Sequence, residues 1–184
     1  MAEVRPRWGY HQLADWYADK LVAAADVQPG ELVVDVGAGT GAITRQLLDR
    51  GARVIAVELH PGRASELRRR FRDDRCVVVE RDLGDWRPPR QPYQVVANPP
   101  FSVLSSLLRV LTAPRSELTT ADLVVPVHVA ARWSRGAGYA DHRYDAMVTA
   151  RLPARAFAPP ATQPTAVLRL RARRRHRSPP PLRR

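Results

Sequence analysis

Cysteine is almost absent from this 184-residue chain, and so are several other features that define large protein classes. The single Cys76 excludes an internal disulfide, and its place in the apolar run 76–79 predicts a buried core thiol and not a nucleophile. No apolar run approaches membrane-spanning length, and residues 1–8 lack the apolar core of a signal peptide. The five histidines show no metal-ligand spacing. We therefore expect a cytoplasmic protein without a membrane or metal partner.

Acidic residues are also scarce: 18 Asp and Glu stand against 30 Lys and Arg, which gives a formal net charge of +12. Such an excess favours a polyanionic partner, although a scattered excess is also compatible with an ordinary solvated surface. Here eight arginines fall between positions 169 and 184, and this clustering favours RNA or DNA. Residues 171–184 are also rich in proline, so we predict a disordered basic tail after a single domain of residues 1–170.

Apolar runs of strand length alternate with helical patterns along the chain, which predicts βαβ units. Residues 1–28 fit an N-terminal segment and an amphipathic helix, with Leu13, Trp16 and Leu21 near helical spacing. We therefore predict a Rossmann-like α/β fold with a mostly parallel seven-stranded sheet and helices on both faces. The predicted strands are 32–36, 53–59, 76–79, 93–97, 121–127, 146–152 and 165–170, and the predicted helices among them are 42–50, 63–72, 102–111 and 129–134.

A glycine-rich loop follows the first of these strands. Residues 35–41 read Asp-Val-Gly-Ala-Gly-Thr-Gly, and glycines let a backbone turn tightly and approach a ligand closely. The spacing differs from the G-x-G-x-x-G of a dinucleotide site, and the opening Asp35 suits a ligand with an ammonium group. Glu58 ends the second strand, where a carboxylate can bind a ribose diol, and Asp82 follows the third, where it could accept from an adenine amino group. Together they indicate S-adenosylmethionine, although Asp82 alone is more often a turn residue.

The run Asn98-Pro99-Pro100-Phe101 ends the fourth strand. Two prolines cannot continue a parallel ladder because they lack a backbone N–H, so we expect a stiff corner at the edge of the sheet where α/β proteins bind ligands. The Asn98 amide and a Pro99 carbonyl can accept hydrogen bonds from an exocyclic amino group, and the Phe101 ring can stack on a base. This combination suits N-methylation of adenine. The alternative is a turn whose Phe101 packs in the core.

In order, the glycine loop, Glu58, Asp82, the Asn-Pro-Pro-Phe corner and the run Phe157-Ala158-Pro159-Pro160 resemble the Erm family. These erythromycin-resistance methyltransferases methylate an adenine N6 in 23S ribosomal RNA, and the small-subunit rRNA adenine dimethyltransferases share their plan. The resemblance covers roughly residues 8–170. It implies a class I S-adenosylmethionine-dependent methyltransferase fold, 23S rRNA as substrate and macrolide resistance, for a protein that we expect to be a monomer.

The resemblance also implies roles for individual residues. Asn98 and Pro99 would hold the target amino group, while Phe101 and Phe157 would sandwich the flipped base. The implied cofactor-binding residues are His11, Leu13, Asp35, Gly37, Gly39, Glu58, Asp82 and Asn98.

The chain departs from the family pattern at three places. Phe101 stands where members often have tyrosine, and residues 9–13, Gly-Tyr-His-Gln-Leu, stand where the family has a Gln-Asn-Phe-Leu-like run. Most members continue into a helical C-terminal domain that helps to bind RNA, and this chain is similar to the short members without it. The arginine-rich tail could partly substitute for that domain.

Other interpretations stay open on the sequence alone. The acceptor could be an adenine of 16S rRNA or DNA, or a protein glutamine, because these enzymes also use Asn-Pro-Pro-aromatic corners. A basic RNA-binding protein could keep the fold without catalysis. A small-molecule N-methyltransferase is the last alternative, and it leaves the net charge unexplained.

Overall fold

A seven-stranded sheet forms the centre of the computed structural model, which describes residues 11–136 and 143–173. A second sheet has two strands. The strands are β1 (Gln12–Leu13), β2 (Leu32–Val36), β3 (Arg53–Glu58), β4 (Cys76–Glu80), β5 (Tyr93–Ala97), β6 (Leu118–Pro126), β7 (Tyr144–Leu152), β8 (Phe157–Ala158) and β9 (Thr165–Ala172). The helices are α1 (Asp15–Ala24), α2 (Ala42–Asp49), α3 (Pro61–Arg70), α4 (Leu104–Leu111) and α5 (Val127–Ser134), with short 3-10 turns at Phe101–Val103 and Ala154–Ala156.

The large sheet has the strand order β4-β3-β2-β5-β6-β9-β7. Strands β2 to β6 pair in parallel, whereas β9 is antiparallel to both of its neighbours, β6 and β7. The predicted Rossmann-like α/β fold with a mostly parallel seven-stranded sheet is therefore confirmed. The chain runs outward from β2 to β4 and then returns to β5 beside β2. This places a topological switch point at the carboxyl ends of β2 and β5, where such sheets bind ligands.

The central strands are buried on both faces of the sheet. Val34 and Val36 of β2 pack with the leucines of α4 and with Trp133 of α5. Val33 of the same strand packs on the other face, with apolar residues of α1 and α2. Because both faces are covered by helices, β2 is a continuous apolar run and not an alternating one.

The last strand of the sheet extends two residues beyond the predicted range 165–170. β9 continues to Ala172, which pairs with Tyr144 of β7, and the backbone N–H of Arg173 donates to the Arg143 carbonyl. Within β9, Leu168 and Leu170 are fully buried, while the arginines alternate with them. The prediction ended this strand at Leu170 because the basic, proline-rich composition from Arg171 onward indicates a tail.

The N-terminal helix buries only part of the predicted apolar face. α1 begins at Asp15 and buries Ala18, Leu21 and Val22. Trp16 is 60% exposed and packs edge-on against the ring of Tyr17, 4.7 Å away. The prediction that Trp16 belongs to the apolar face of this helix was therefore wrong.

Cys76 is half-buried in β4 and packs against the cluster on the α1 and α2 face. Burial raises the pKa of its thiol to about 11. A thiol with such a pKa is protonated at neutral pH, but Cys76 is only partly the buried core thiol that the sequence predicts.

Within the described residues, no helix is long and apolar enough to cross a membrane. Residues 11–136 and 143–173 also contain no group of histidine, cysteine and carboxylate side chains that could hold a metal ion. Tyr10 and residues 174–184 of the predicted tail lie outside the described residues.

Candidate functional site

A cleft of about 560 Å³ opens at the carboxyl ends of four adjacent parallel strands. Gly37 follows β2, Glu58 ends β3, Asp82 follows β4 and Asn98 follows β5, and all four line this cleft. These four residues therefore form one wall of a single site, because parallel strands present their carboxyl ends at the same edge of a sheet.

The glycine loop lies directly against the Asn-Pro-Pro-Phe corner. The backbone N–H groups of Gly37 and Ala38 donate to the Val57 carbonyl at 2.8 and 3.0 Å, which holds the loop to the end of β3. Gly37 has a φ of +74°, and a Cβ at this position would stand 2.9 Å from Cδ of Pro100. Glycine alone satisfies both the backbone conformation and this close approach.

The mutation Gly37→Ala is therefore expected to lower the Tm by about 4–8 °C, which corresponds to a loss of about 2 kcal/mol in the free energy of unfolding. It should also weaken cofactor binding, because the loop and the corner would have to separate. Thermal unfolding and isothermal titration calorimetry measure the two effects. Gly30→Ala is the matched control, because Gly30 has a φ of +83° and no atom within 4 Å of the added Cβ. Equal losses in both variants would mean that the contact with Pro100 has no effect.

Glu58 is 3% exposed and connects the glycine loop to α3. Its Oε2 accepts from the Gly39 backbone at 2.8 Å, while Oε1 accepts from the His60 backbone at 2.9 Å and from two nitrogens of Arg63 at 3.1 and 2.9 Å. With three donor atoms, Oε1 has no capacity for another hydrogen bond. A bidentate contact between Glu58 and a ribose diol therefore requires the Arg63 side chain to move. The sequence analysis did not identify Arg63 as a partner of Glu58. The signal in the sequence was a basic residue in the first turn of the helix that follows the acid at the end of β3.

Asp82 combines a turn function with a place in the cleft. Its Oδ1 accepts from the Gly84 backbone at 2.7 Å, as in an Asx-turn. The apolar side chains of Leu59, Leu83 and Val103 line the same cleft. An acceptor beside an apolar slot is an arrangement that suits a flat heterocycle with an amino group, such as adenine. These apolar residues were not predicted from the sequence. In the structure, Leu59 is unusually exposed for a large apolar side chain, at 41%.

Asp35 lies behind the glycine loop and not in the cleft itself. Thr44 Oγ1 donates to Oδ2 at 2.7 Å, while the buried Oδ1 has no hydrogen-bond donor among the described residues. Burial raises the pKa of Asp35 to about 7, against the lowering effect of the Thr44 hydrogen bond. Asp35 lines a cavity of about 20 Å³ that shares Gly37 and Asn98 with the cleft. A buried carboxylate oxygen without a donor fits a ligand that brings an ammonium group.

Asn98 is held in one orientation by the N-terminal segment. Its Nδ2 donates to the His11 backbone carbonyl at 2.7 Å, so Oδ1 remains as the acceptor. Nδ1 of the His11 ring lies 3.3 Å from the Pro159 carbonyl. His11 itself lines the cleft. The segment before α1 therefore connects the Asn-Pro-Pro-Phe corner with the Phe-Ala-Pro-Pro run through backbone carbonyls.

The two predicted stacking rings have different environments. Phe101 is half-buried and lines the cleft. Phe157 is 3% exposed, pairs with Leu13 across β1 and β8, and packs in the core on the α1 and α2 face. Phe157 therefore has no face available to a base in this structure, because β8 turns this ring inward. Leu13 is likewise buried and lines the small cavity beside Asp35, not the cleft.

Gln163 lies at the mouth of the cleft and was not predicted. It is exposed, in the loop between β8 and β9. No pattern in the sequence distinguishes it, because loop position alone carries no information on which cavity a side chain lines.

Comparison with known proteins identifies relatives of the chain. A family model described as "Ribosomal RNA adenine dimethylase" matches residues 1–180. A ribosomal RNA small subunit methyltransferase A from Synechococcus sp. is 32% identical over 190 residues, which cover 92% of this chain and 67% of the relative. An rRNA methyltransferase from Streptomyces thermotolerans is 36% identical over 163 residues, which cover 84% of this chain and 54% of the relative.

The solved structure of the 23S rRNA methyltransferase ErmE has the same fold. It superposes with a TM-score of 0.78 at 24% identity and covers 88% of this chain and 70% of its own. The curated relatives that the chain matches are longer than the chain, which covers between 42% and 68% of their length. The predicted resemblance is thus confirmed at the level of the family, whereas membership of the Erm branch in particular is not confirmed. The chain belongs to the ribosomal RNA adenine dimethylase family.

Proposed function

We propose that the protein transfers a methyl group from S-adenosylmethionine to the N6 amino group of an adenine in ribosomal RNA. The observation that carries this proposal is the fixed Asn98 amide: its Nδ2 donates to the His11 carbonyl at 2.7 Å, and its Oδ1 is left to accept from an amino group. Family membership supports the same reaction.

The residues around the cleft fit the proposed cofactor in three respects. The Glu58 Oε2 atom can accept from a ribose hydroxyl, and Asp82 lies beside an apolar slot that suits the adenine ring. The Oδ1 atom of Asp35 lacks a donor and suits the ammonium group. When bound, S-adenosylmethionine supplies an electrophilic methyl group on a sulfonium.

The chain's own contribution to the reaction is positioning and electrostatics. The N6 nitrogen of adenine is a weak nucleophile because its lone pair is delocalised into the ring. Hydrogen bonds from N6 to Asn98 Oδ1 and to the Pro99 carbonyl favour a more tetrahedral nitrogen whose lone pair points into the cleft. No side chain needs to act as a base, because the proton leaves to water once the nitrogen is methylated. Stacking on Phe101 offsets part of the cost of unstacking the base, at about 1–3 kcal/mol per stacked base.

Within ribosomal RNA we propose 23S rRNA as the target, on the resemblance of the motifs to the Erm family. Macrolide resistance would follow from that modification. Small-subunit rRNA is the second candidate, because several relatives are named small subunit methyltransferase A.

The test is transfer of tritium from labelled S-adenosylmethionine to purified 23S rRNA, 16S rRNA and duplex DNA, followed by mapping of the labelled base. Label at one adenine of 23S rRNA is the expected result. Label on 16S rRNA or DNA would keep the chemistry and change the target. Cofactor binding without label on any nucleic acid would contradict an RNA or DNA acceptor, and loss of cofactor binding altogether would leave a basic RNA-binding protein.

Removal of residues 174–184 should weaken RNA binding and reduce its salt dependence. This truncation keeps β9 intact and removes five arginines. The slope of log K against log salt should fall by up to about 3.5, if all five neutralise phosphates of single-stranded RNA. Fluorescence anisotropy with labelled RNA at several salt concentrations measures the slope, and Tm and cofactor affinity should stay unchanged. A control with all five arginines changed to lysine should keep the salt slope, and an unchanged slope in the truncated protein would refute a contribution of the tail.

A further inference from the structure

A second cavity of about 550 Å³ adjoins the cleft on the side of the Asn-Pro-Pro-Phe corner. Phe101, Ser102 and Gln163 line both spaces. The volume lies within the range of pockets that bind small organic molecules. Its floor is apolar, built from Leu104 and Leu108 of α4 and Trp133 of α5, all of which are buried.

The two spaces differ in charge. The cleft carries charges of both signs, because Arg63 and Arg81 line it together with Glu58 and Asp82. Among the described residues that line the second cavity none is acidic, and His128 and Arg132 of α5 contribute its rim. Both of these side chains belong to exposed residues. An RNA backbone carries one negative charge per nucleotide, so it is attracted to the second cavity, where the basic Arg132 is not offset by an acid of the described lining.

We propose that this second cavity binds the nucleotide next to the target adenine, with its phosphate at Arg132 and its base over the apolar floor. The inference rests on the proposed function, because it takes the cleft as the site of a flipped adenine. A flipped base stays covalently linked to its neighbours, so one of them must lie beside the cleft entrance. Gln163 and Ser102 lie at the junction of the two spaces, where the connecting ribose and phosphate pass.

The first experiment compares Arg132→Gln with the matched control Arg135→Gln. Arg135 is exposed and follows the same helix, but it does not line the cavity. The Arg132→Gln variant should weaken binding of a single-stranded RNA by about 10-fold and reduce the salt slope by about 1, while the affinity for S-adenosylmethionine stays unchanged. Arg135→Gln should change RNA affinity by less than about 2-fold. Equal effects of the two variants would indicate general attraction to a basic surface and would overturn the inference.

The second experiment asks whether Arg132 contacts one particular phosphate. A neutral methylphosphonate is placed in turn at each position that flanks the target adenine of an RNA fragment. If Arg132 binds one of these phosphates, the affinity losses from Arg132→Gln and from that methylphosphonate should be non-additive, whereas all other positions should be additive. Additive losses at every position would overturn the inference.

The two proposals can fail separately. A wild-type protein that methylates no nucleic acid would overturn the proposed function, yet anisotropy with the same RNA would still decide whether Arg132 binds it differently from Arg135. A wild-type protein that methylates RNA while the two variants bind RNA alike would retain the function and overturn the second cavity as a nucleotide site.

Discussion

Replacement of Asn98 by alanine is expected to lower kcat for methyl transfer by about 10²–10³-fold or more, because it removes the fixed acceptor for the N6 amino group. The affinity for S-adenosylmethionine should change by less than about 3-fold, since the acids that suit the cofactor remain in place. The variant also loses the hydrogen bond from Nδ2 to the His11 carbonyl, which should cost about 1 kcal/mol of stability. Single-turnover transfer of labelled methyl groups, calorimetric titration with the cofactor and thermal unfolding measure the three quantities.

Gln94→Ala supplies the matched control for Asn98→Ala. Gln94 belongs to β5, the strand that Asn98 follows, and its side-chain Nε2 donates to Glu31 at 2.7 Å, at the amino end of that strand. The control should lose a similar amount of stability and retain full transfer. If Asn98→Ala instead lost cofactor binding and transfer in equal measure, Asn98 would be a structural residue and not a catalytic one.

The wall of the cleft could be predicted from the sequence because it depends on topology. Gly37, Glu58, Asp82 and Asn98 each stand at or just after the end of a parallel strand. Strand ends can be recognised from apolar runs and from prolines, and parallel pairing then brings them to one edge. Seven strands and their mostly parallel arrangement followed from the same patterns.

The positions of Phe157 and Arg63 could not be predicted in the same way. Phe157 lies in a two-residue strand whose pairing with β1 joins residues almost 150 positions apart, and no local pattern specifies which way such a short strand turns its side chains. Arg63 contacts Glu58 from a neighbouring helix, and this contact depends on the angle between α3 and β3. Side-chain contacts between elements are therefore the part of the site that required the structure.

The charge distribution around Phe101 connects the two proposals. The acids of the cleft suit a cationic cofactor, while the described lining of the second cavity contains basic residues and no acid. The half-buried Phe101 ring lines both the cleft and the second cavity. A base can therefore enter the cleft while its phosphate remains on the side of Arg132, where it meets a charge of opposite sign.

The mutation Asp35→Asn is expected to weaken binding of S-adenosylmethionine by about 10–100-fold at pH 8, because a charge-assisted hydrogen bond to the ammonium group is lost. The wild-type affinity should rise as the pH increases toward about 7 and level off above it, since only the ionised Asp35, whose pKa is raised to about 7, pairs with the ammonium group. The affinity of the variant should not show this rise. Calorimetric titrations between pH 5.5 and 8.5 measure both, and an identical pH dependence in the two proteins would exclude Asp35 from the cofactor site.

Asp35→Asn should stabilise the cofactor-free protein at pH 8, although it weakens binding of the cofactor. Burial raises the pKa of Asp35 from 3.8 to about 7, so the folded protein keeps a proton that the unfolded chain releases between these pH values. The stabilising effect of that proton is present below pH 4 and is lost as the pH rises to 7. Asp35→Asn avoids the buried charge, so its Tm should exceed that of the wild type at pH 8 and approach it at pH 5.

Asp122→Asn separates this effect from burial of an acid in general. Asp122 is also buried and also has a raised pKa caused by desolvation, but its Oδ1 accepts from Arg169 Nε at 2.8 Å. Asp122→Asn also removes a buried charge, but it leaves the Arg169 guanidinium without its ion pair. We expect the second effect to be larger, so the variant should lose stability at pH 8. Its cofactor affinity should stay unchanged, because Asp122 lines neither the cleft nor the small cavity behind the glycine loop. If Asp35→Asn raises the Tm and weakens cofactor binding, while Asp122→Asn lowers the Tm and leaves binding unchanged, the unpaired Asp35 oxygen binds the cofactor. If Asp35→Asn raises the Tm without changing the affinity, the buried charge destabilises the protein and has no role in binding.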